Sequence, residues 1–145
     1  MKIVVDTNIF LSALIKDSIT RKIIVESNWN FYYPEISLHE IKKYRNLVLE
    51  KSTMLESEYE ELLSRLLAHV RMVSNVDIDK YLVEAKNILG AIDPDDVVFL
   101  AVAMGIKDSV IWSDDKDFER QSRIKILKTK DIIELFFSNN YSEVE

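Results

Sequence analysis

The sequence predicts an α/β fold, a single-domain three-layer α/β/α sandwich on a central parallel sheet. Three observations carry that prediction. Short apolar runs alternate with amphipathic stretches along the chain, the order that produces parallel strands covered by helices. The runs Ile3-Val4-Val5 and Val110-Ile111-Trp112 are continuous, as strands buried on both faces require. Both runs then stop at acid, Asp6 and Asp114-Asp115. In open parallel sheets, ligands gather at the carboxyl ends of strands.

Residues 2–6 form the first strand, and Thr7 or Asn8 caps a helix with Ile9, Phe10, Ala13 and Leu14 on one face. Ile19, Ile23 and Ile24 define a second helix over 18–27. Phe31-Tyr32-Tyr33 is a strand ended by Pro34. Ser37 with Glu40 three residues on matches a capping box and starts a helix running to Lys51. Leu55, Tyr59, Leu62, Leu63, Leu66, Leu67 and Val70 recur at helical spacing, so the next helix pairs with it as a hairpin. Val70 to Val73 is a short strand. From Asp77, the stripe Tyr81-Leu82-Ala85-Ile88-Leu89 gives a helix stopped at Gly90. Asp93 and Pro94 are a cap and a first-turn proline for a helix that is apolar nearly all round from Val97 to Met104. That helix is central, and Gly105 ends it. Val110 to Trp112 and Ile124 to Leu127 are strands, and Thr129 caps a last helix through Phe137. The expected domain is 1–137, with 138–145 a flexible tail.

A chain of 145 residues suits one domain with a real core. Cysteine is absent, which excludes disulfides, thiolate metal sites and a cysteine nucleophile. His39 and His69 stand in separate helical stretches and read as exposed helix residues, which argues against a histidine-rich zinc site. Asp6 interrupts any signal-peptide core, and no apolar run is long enough to span a membrane. The expectation is a soluble, cytoplasmic protein with no membrane partner. The net charge of −6 lacks the basic footprint of a simple nucleic-acid binder. Two divalent cations would add four charges and bring the total to about −2.

Asp6, Glu40, Asp96 and Asp114 are the candidate functional acids, with Asp93, Asp95, Asp115 and Asp117 beside them. Oxygen-only ligands suit Mg²⁺ or Mn²⁺. Crowded carboxylates repel one another, and a cation removes that cost. Each acid also has a structural reading: Asp6 as a helix cap, Glu40 as the third residue of a capping box, Asp96 as a partner of the helix dipole, Asp114 or Asp115 as a turn cap. Trp112 reads as core, and the Glu-rich stretch 56–61 as a solvated helix face.

The same residues resemble the PIN-domain family. The match runs through Val4-Val5-Asp6-Thr7-Asn8, Glu40 in Ile36-Ser37-Leu38-His39-Glu40-Ile41, Asp96 before the apolar helix, and Ile111-Trp112-Ser113-Asp114-Asp115-Lys116-Asp117-Phe118. These four motifs, in order, cover about residues 1–130. Asp96 is taken over Asp95 because it stands three residues before Phe99, where the apolar face begins. The chain departs from the family in Trp112-Ser113, where Thr-Gly or Thr-Arg is commoner, and in the length of 53–73.

The resemblance implies an endoribonuclease that hydrolyses RNA phosphodiesters with one or two Mg²⁺ or Mn²⁺ ions. It implies the toxin role of a toxin–antitoxin pair, with a cognate antitoxin and a homodimer as partners. Asp6, Glu40, Asp96 and Asp114 would be the acidic quartet, with Asp6, Asp96 and Asp114 on metal. Thr7, Asn8 and Ser113 would orient carboxylates or water, and Asp117 would assist. Lys42, Lys43 and Arg45 after Glu40, and Lys116 and Arg120 after Asp114, would meet RNA phosphates. A non-catalytic PIN-like RNA- or protein-binding module is the alternative, and the intact quartet stands against it. A haloacid-dehalogenase-like phosphatase would need a second acid where Asn8 stands. A receiver-type phosphoacceptor would need adjacent acids at the first strand end.

Overall fold

A computed structural model describes residues 1–15, 19–90 and 94–144, with side chains described as far as Ser138. Five parallel strands form one sheet in the order β3-β2-β1-β4-β5. They are β1 (Lys2–Val5), β2 (Asn30–Pro34), β3 (Val70–Val73), β4 (Ser109–Trp112) and β5 (Ile126–Leu127). The helices are α1 (Thr7–Ile15), α2 (Ile19–Glu26), α3 (Leu38–Lys43), α4 (Arg45–Ser52), α5 (Glu56–Ala68), α6 (Asn75–Leu89), α7 (Pro94–Met104) and α8 (Thr129–Val144). Single 3₁₀ turns occupy Glu35–Ser37 and Lys116–Arg120. No helix of the described residues is long and apolar enough to cross a membrane.

The central strand explains the layering. Ile3, Val4 and Val5 have no exposed surface, so β1 is covered above and below. It pairs Lys2–Val4 with Asn30–Tyr32 of β2 and Lys2–Val5 with Ser109–Trp112 of β4. One covering layer is α6 and α7, with α7 lying on β2, β1 and β4. Its residues Val97, Phe99, Leu100, Ala101, Val102 and Ala103 are all buried, as its near-uniform apolar sequence requires. Among the other helices, α1 packs on α2, α4 and α5, and α2 packs on α8. Gly105 lets the end of α7 meet α6, since a Cβ there would lie 3.2 Å from the Tyr81 ring.

Several expected boundaries move. The helix expected from Ser37 to Lys51 is two helices, broken at Tyr44 with φ −95° and ψ 8°. The capping box does not form: Ser37 makes no side-chain cap bond, and the Glu40 carboxylate bonds elsewhere. Thr129 does not cap α8 either. It is the first helical residue, and Asp131 accepts from the Lys128 amide at 3.0 Å. The helix runs to Val144, past the expected stop at Phe137. The strand expected over Ile124 to Leu127 is confined to Ile126–Leu127, because Gln121 binds both the amide and the carbonyl of Ile124. The Asp93 cap lies outside the described residues. Trp112 is buried as expected, and its indole donates to Thr129 Oγ1 at 3.0 Å.

The C-terminal residue of the α4 cap is strained. Thr53 has φ 58° and ψ 18°, left-handed backbone that a β-branched residue rarely adopts. Thr53→Gly is expected to stabilise the protein by about 1 kcal/mol. Urea unfolding measures this, and a loss of stability would mean that the Thr53 hydroxyl bond to Ser52 outweighs the strain.

Candidate metal centre

The strand order reverses direction between β1 and β4, and the crevice beyond the carboxyl ends of those strands is where open α/β sheets place ligands. Asp6 follows β1 there, and its amide extends the ladder to Trp112 O at 3.1 Å. Ser113 follows β4 and donates its hydroxyl to Asp6 Oδ2 at 2.8 Å. The same Ser113 oxygen accepts the Asp115 amide at 3.0 Å. Ser113 therefore ties the two strand ends and sets the position of Asp115. Asp6 is 6 % exposed. Its carboxyl is held above the ordinary range, chiefly by burial and further by the charge of Asp115, against the Ser113 hydroxyl and the amides of Thr7 and Asn8.

The cleft above this seam is about 240 Å³ and gathers Asp6, Glu40, Asp95, Asp96, Asp115 and Asp117. Asp96, Asp115 and Asp117 bring carboxylate oxygens within 4.8 Å of one another. Glu40 reaches in from α3. Its Oε2 accepts the Thr7 hydroxyl, Thr7 meets Tyr33 Oη at 2.8 Å, and Tyr33 Oη donates to Ser37 O at 2.9 Å. Three contacts in that chain share two hydroxyl protons. With the Thr7 proton given to Glu40 and the Tyr33 proton to Ser37 O, the contact between Thr7 and Tyr33 is left without one. Glu40 is held above the ordinary range, first by burial and also by its side-chain contact with Asp95 and the charge of that acid, with the Thr7 bond opposing. Burial likewise raises the Tyr33 hydroxyl, and the charges of Glu40, Asp6 and Asp95 add to it.

Asp114 does not reach the cleft. Its carboxylate accepts the Thr129 amide at 2.8 Å and the Thr129 hydroxyl at 2.6 Å, so it caps α8. Asp115 stands where the sequence reading put Asp114. The signal was available: in extended chain, side chains alternate, so Ser113 and Asp115 share a side and Asp114 takes the other. Asp115 also accepts the Asp117 amide at 2.9 Å, which brings Asp117 to the cleft. Asn8 lines the cleft beside Thr7. His39, read from sequence as a solvated helix residue, lines it too.

The basic residues divide. Lys43 and Tyr44 line the cleft, with Lys43 Nζ 5.6 Å from the Tyr44 ring centre. Arg45 turns away, pairing with Glu56 at 3.8 Å and Glu60 at 3.2 Å over the Tyr59 ring. Arg120 pairs with Asp117 at 4.0 Å. Lys42 and Lys116 are exposed and do not line the cleft.

The residues present fit a divalent cation. The donors are mostly carboxylate oxygens, the set that hard cations take. Glu40 Oε1 is shut off from solvent and has no hydrogen-bond partner among the described residues. A buried acceptor left in that state is costly, and a cation supplies the missing positive partner.

The raised carboxyl of Asp6 fixes a sign. The folded protein holds that proton more tightly than the unfolded chain, so the contribution of Asp6 to stability is full at low pH and is lost as pH rises through its raised folded value. Asp6→Asn is therefore expected to raise stability at pH 7 in EDTA, with the advantage shrinking as pH falls into the ordinary carboxylate range. Urea unfolding across pH measures it. A less stable variant at pH 7 would show that the Ser113 and amide bonds outweigh burial.

The PIN domain family model matches residues 4–135. No curated relative matches the sequence. The fold is similar to a chain in the crystal structure of VapBC2 from Rickettsia felis bound to a DNA fragment from their promoter. The TM-score is 0.66 at 17 % identity, covering 88 % of this chain and 98 % of that one. At that identity the likeness concerns the fold. The family match spans nearly the whole chain, including both strand ends and the acids that follow them, and the chain belongs to the PIN-domain family.

Proposed function

We propose that this protein is a divalent-cation-dependent endoribonuclease and the toxin of a toxin–antitoxin pair. The observation that carries the nuclease reading is the convergence of Asp6, Glu40, Asp96, Asp115 and Asp117 on one cleft, with Glu40 Oε1 buried and unpartnered among the described residues. Asp6, Asp96 and Asp115 hold Mg²⁺ or Mn²⁺, with Asp117 beside them; Asp115 replaces Asp114 in the expected quartet. A bound ion supplies Lewis-acid stabilisation of charge on the phosphoryl oxygens and eases the ionisation of water.

The chain's own groups do the rest. Glu40, anchored by Thr7 and raised toward neutrality, orients the attacking water and takes its proton. Water oxygen bonds to phosphorus, the P–O3′ bond breaks, and the leaving 3′ oxygen takes a proton from solvent, giving a 3′ hydroxyl and a 5′ phosphate. Ser113 holds the ionised Asp6 in place throughout. Lys43, on the cleft rim, meets a backbone phosphate, and Tyr44 offers a ring to an unstacked base.

The toxin role rests on the family and on a fold neighbour solved as VapBC2 with promoter DNA. That role brings an antitoxin and a second copy of the chain as partners and places the protein in the cytoplasm.

Cleavage of a labelled single-stranded RNA pool with Mn²⁺, Mg²⁺ or EDTA tests the nuclease. Asp96→Asn and Asp115→Asn are each expected to lose at least about a hundredfold in rate while remaining folded. Metal binding without cleavage would favour a binding module. Asp114→Ala is expected to keep cleavage and lose about 1 kcal/mol of stability, the cost of a helix cap. Loss of cleavage in folded Asp114→Ala, with activity kept in Asp115→Asn, would reverse the assignment.

A further inference from the structure

The cleft contains two groups of potential ligands with different chemistry. Asp96, Asp115 and Asp117 offer oxygen alone. On the α3 side, His39, Glu40 and Asp95 bring one ligand atom each within 4.8 Å of one another, and one of those residues offers nitrogen.

The state of that imidazole follows from its neighbour. His39 Nδ1 lies 2.6 Å from the Ile36 carbonyl oxygen. A carbonyl only accepts, so Nδ1 carries the proton and donates it. In the neutral ring, Nε2 is then the nitrogen with a free lone pair. A backbone carbonyl on one ring nitrogen, fixing the tautomer and orientation so that the other can ligate, is the arrangement metal-binding histidines use. Ile36 ends one residue short of Ser37, whose carbonyl anchors Tyr33 and through it Thr7 and Glu40. One short turn, Glu35–Ser37, thus orients both His39 and Glu40. The next residue, Glu40, contributes the buried and unpartnered Oε1 described above.

We propose that His39 Nε2, with Glu40 and Asp95, ligates a first-row transition ion, making the α3 side of the cleft select Mn²⁺ over Mg²⁺. The inference rests on the reading of the cleft as a cation centre. Imidazole suits first-row transition ions, whereas Mg²⁺ takes oxygen and keeps several waters. The oxygen-only group on the far side makes no such distinction. The cleft therefore holds one position that accepts either ion and one that discriminates.

Pulsed EPR of the full chain loaded with Mn²⁺ reads the proposal directly, because a ligating imidazole imposes ¹⁴N modulation on the manganese signal. The expected result is ¹⁴N modulation in the unmodified protein, its loss in His39→Ala and His39→Gln, and its retention in His69→Ala. Mn²⁺ affinity at this position falls about tenfold or more in both His39 variants. Mg²⁺ affinity, measured by calorimetry, changes by less than about twofold. His39 is exposed, and thermal unfolding verifies that the variants fold. Manganese bound with no ¹⁴N modulation, or modulation that survives in His39→Ala, overturns the proposal. If manganese also supports RNA cleavage in that case, the nuclease reading stands and only the role of His39 falls. If no divalent ion binds at all, both fall together.

Discussion

Two strand ends that meet under mutual repulsion set the terms for this molecule. β1 and β4 are neighbours, and each delivers a carboxylate to the same edge, Asp6 and Asp115. Left to electrostatics, the two would part. What keeps them together is the sheet beneath, with Ile3, Val4, Val5, Ile111 and Trp112 fully buried. Ser113 then bridges the acids by donating to one and accepting the amide of the other. The hydrophobic core thus holds charge in a place where charge is unfavourable, and the raised carboxyl of Asp6 is the trace of that work. Helix α7 serves the same end from above, since its almost wholly apolar body anchors a first turn that carries Asp95 and Asp96.

Glu40 reaches the cleft by a different route. No strand delivers it. It hangs on a chain of oxygen contacts through Thr7 and Tyr33 to the Ser37 carbonyl, so α1, β2 and the turn before α3 are fastened to one another at the site. Such a chain defines position closely but tolerates more than one proton arrangement. Metal loading and proton loss at Glu40 consequently go together, as ligation requires a deprotonated carboxylate.

Most of the architecture was legible because its signals were local. Continuous apolar runs marked β1 and β4, and the apolar helix after Pro94 marked α7. Asp6, Glu40 and Asp96 were legible as acids at element boundaries. The failures share a cause, which is that side chains chose distant partners over near ones. Ser37 and Glu40 fit a capping box in sequence, yet Glu40 bonds to Thr7, far off along the chain. Asp114 ends the acidic strand run, yet it caps α8 through Thr129. Thr129 fits a cap, yet it receives one. His39 is exposed on its helix, as its spacing predicts, but nothing in that spacing reveals the carbonyl of Ile36 or the approach of Asp95.

The interruption at Tyr44 has a mechanical meaning. An unbroken helix from Leu38 to Ser52 would be a rigid rod of about 22 Å. Any settling of its second half, where Arg45 grips Glu56 and Glu60 and Val48 is buried, would swing Glu40 at the near end. Divided at Tyr44, the near piece is only about 9 Å long. Drift in the α4–α5 scaffold is absorbed at the joint instead of being levered into the cleft. The remaining path from scaffold to cleft runs through α1, which packs on α4 and α5 and carries Thr7, the residue that holds Glu40.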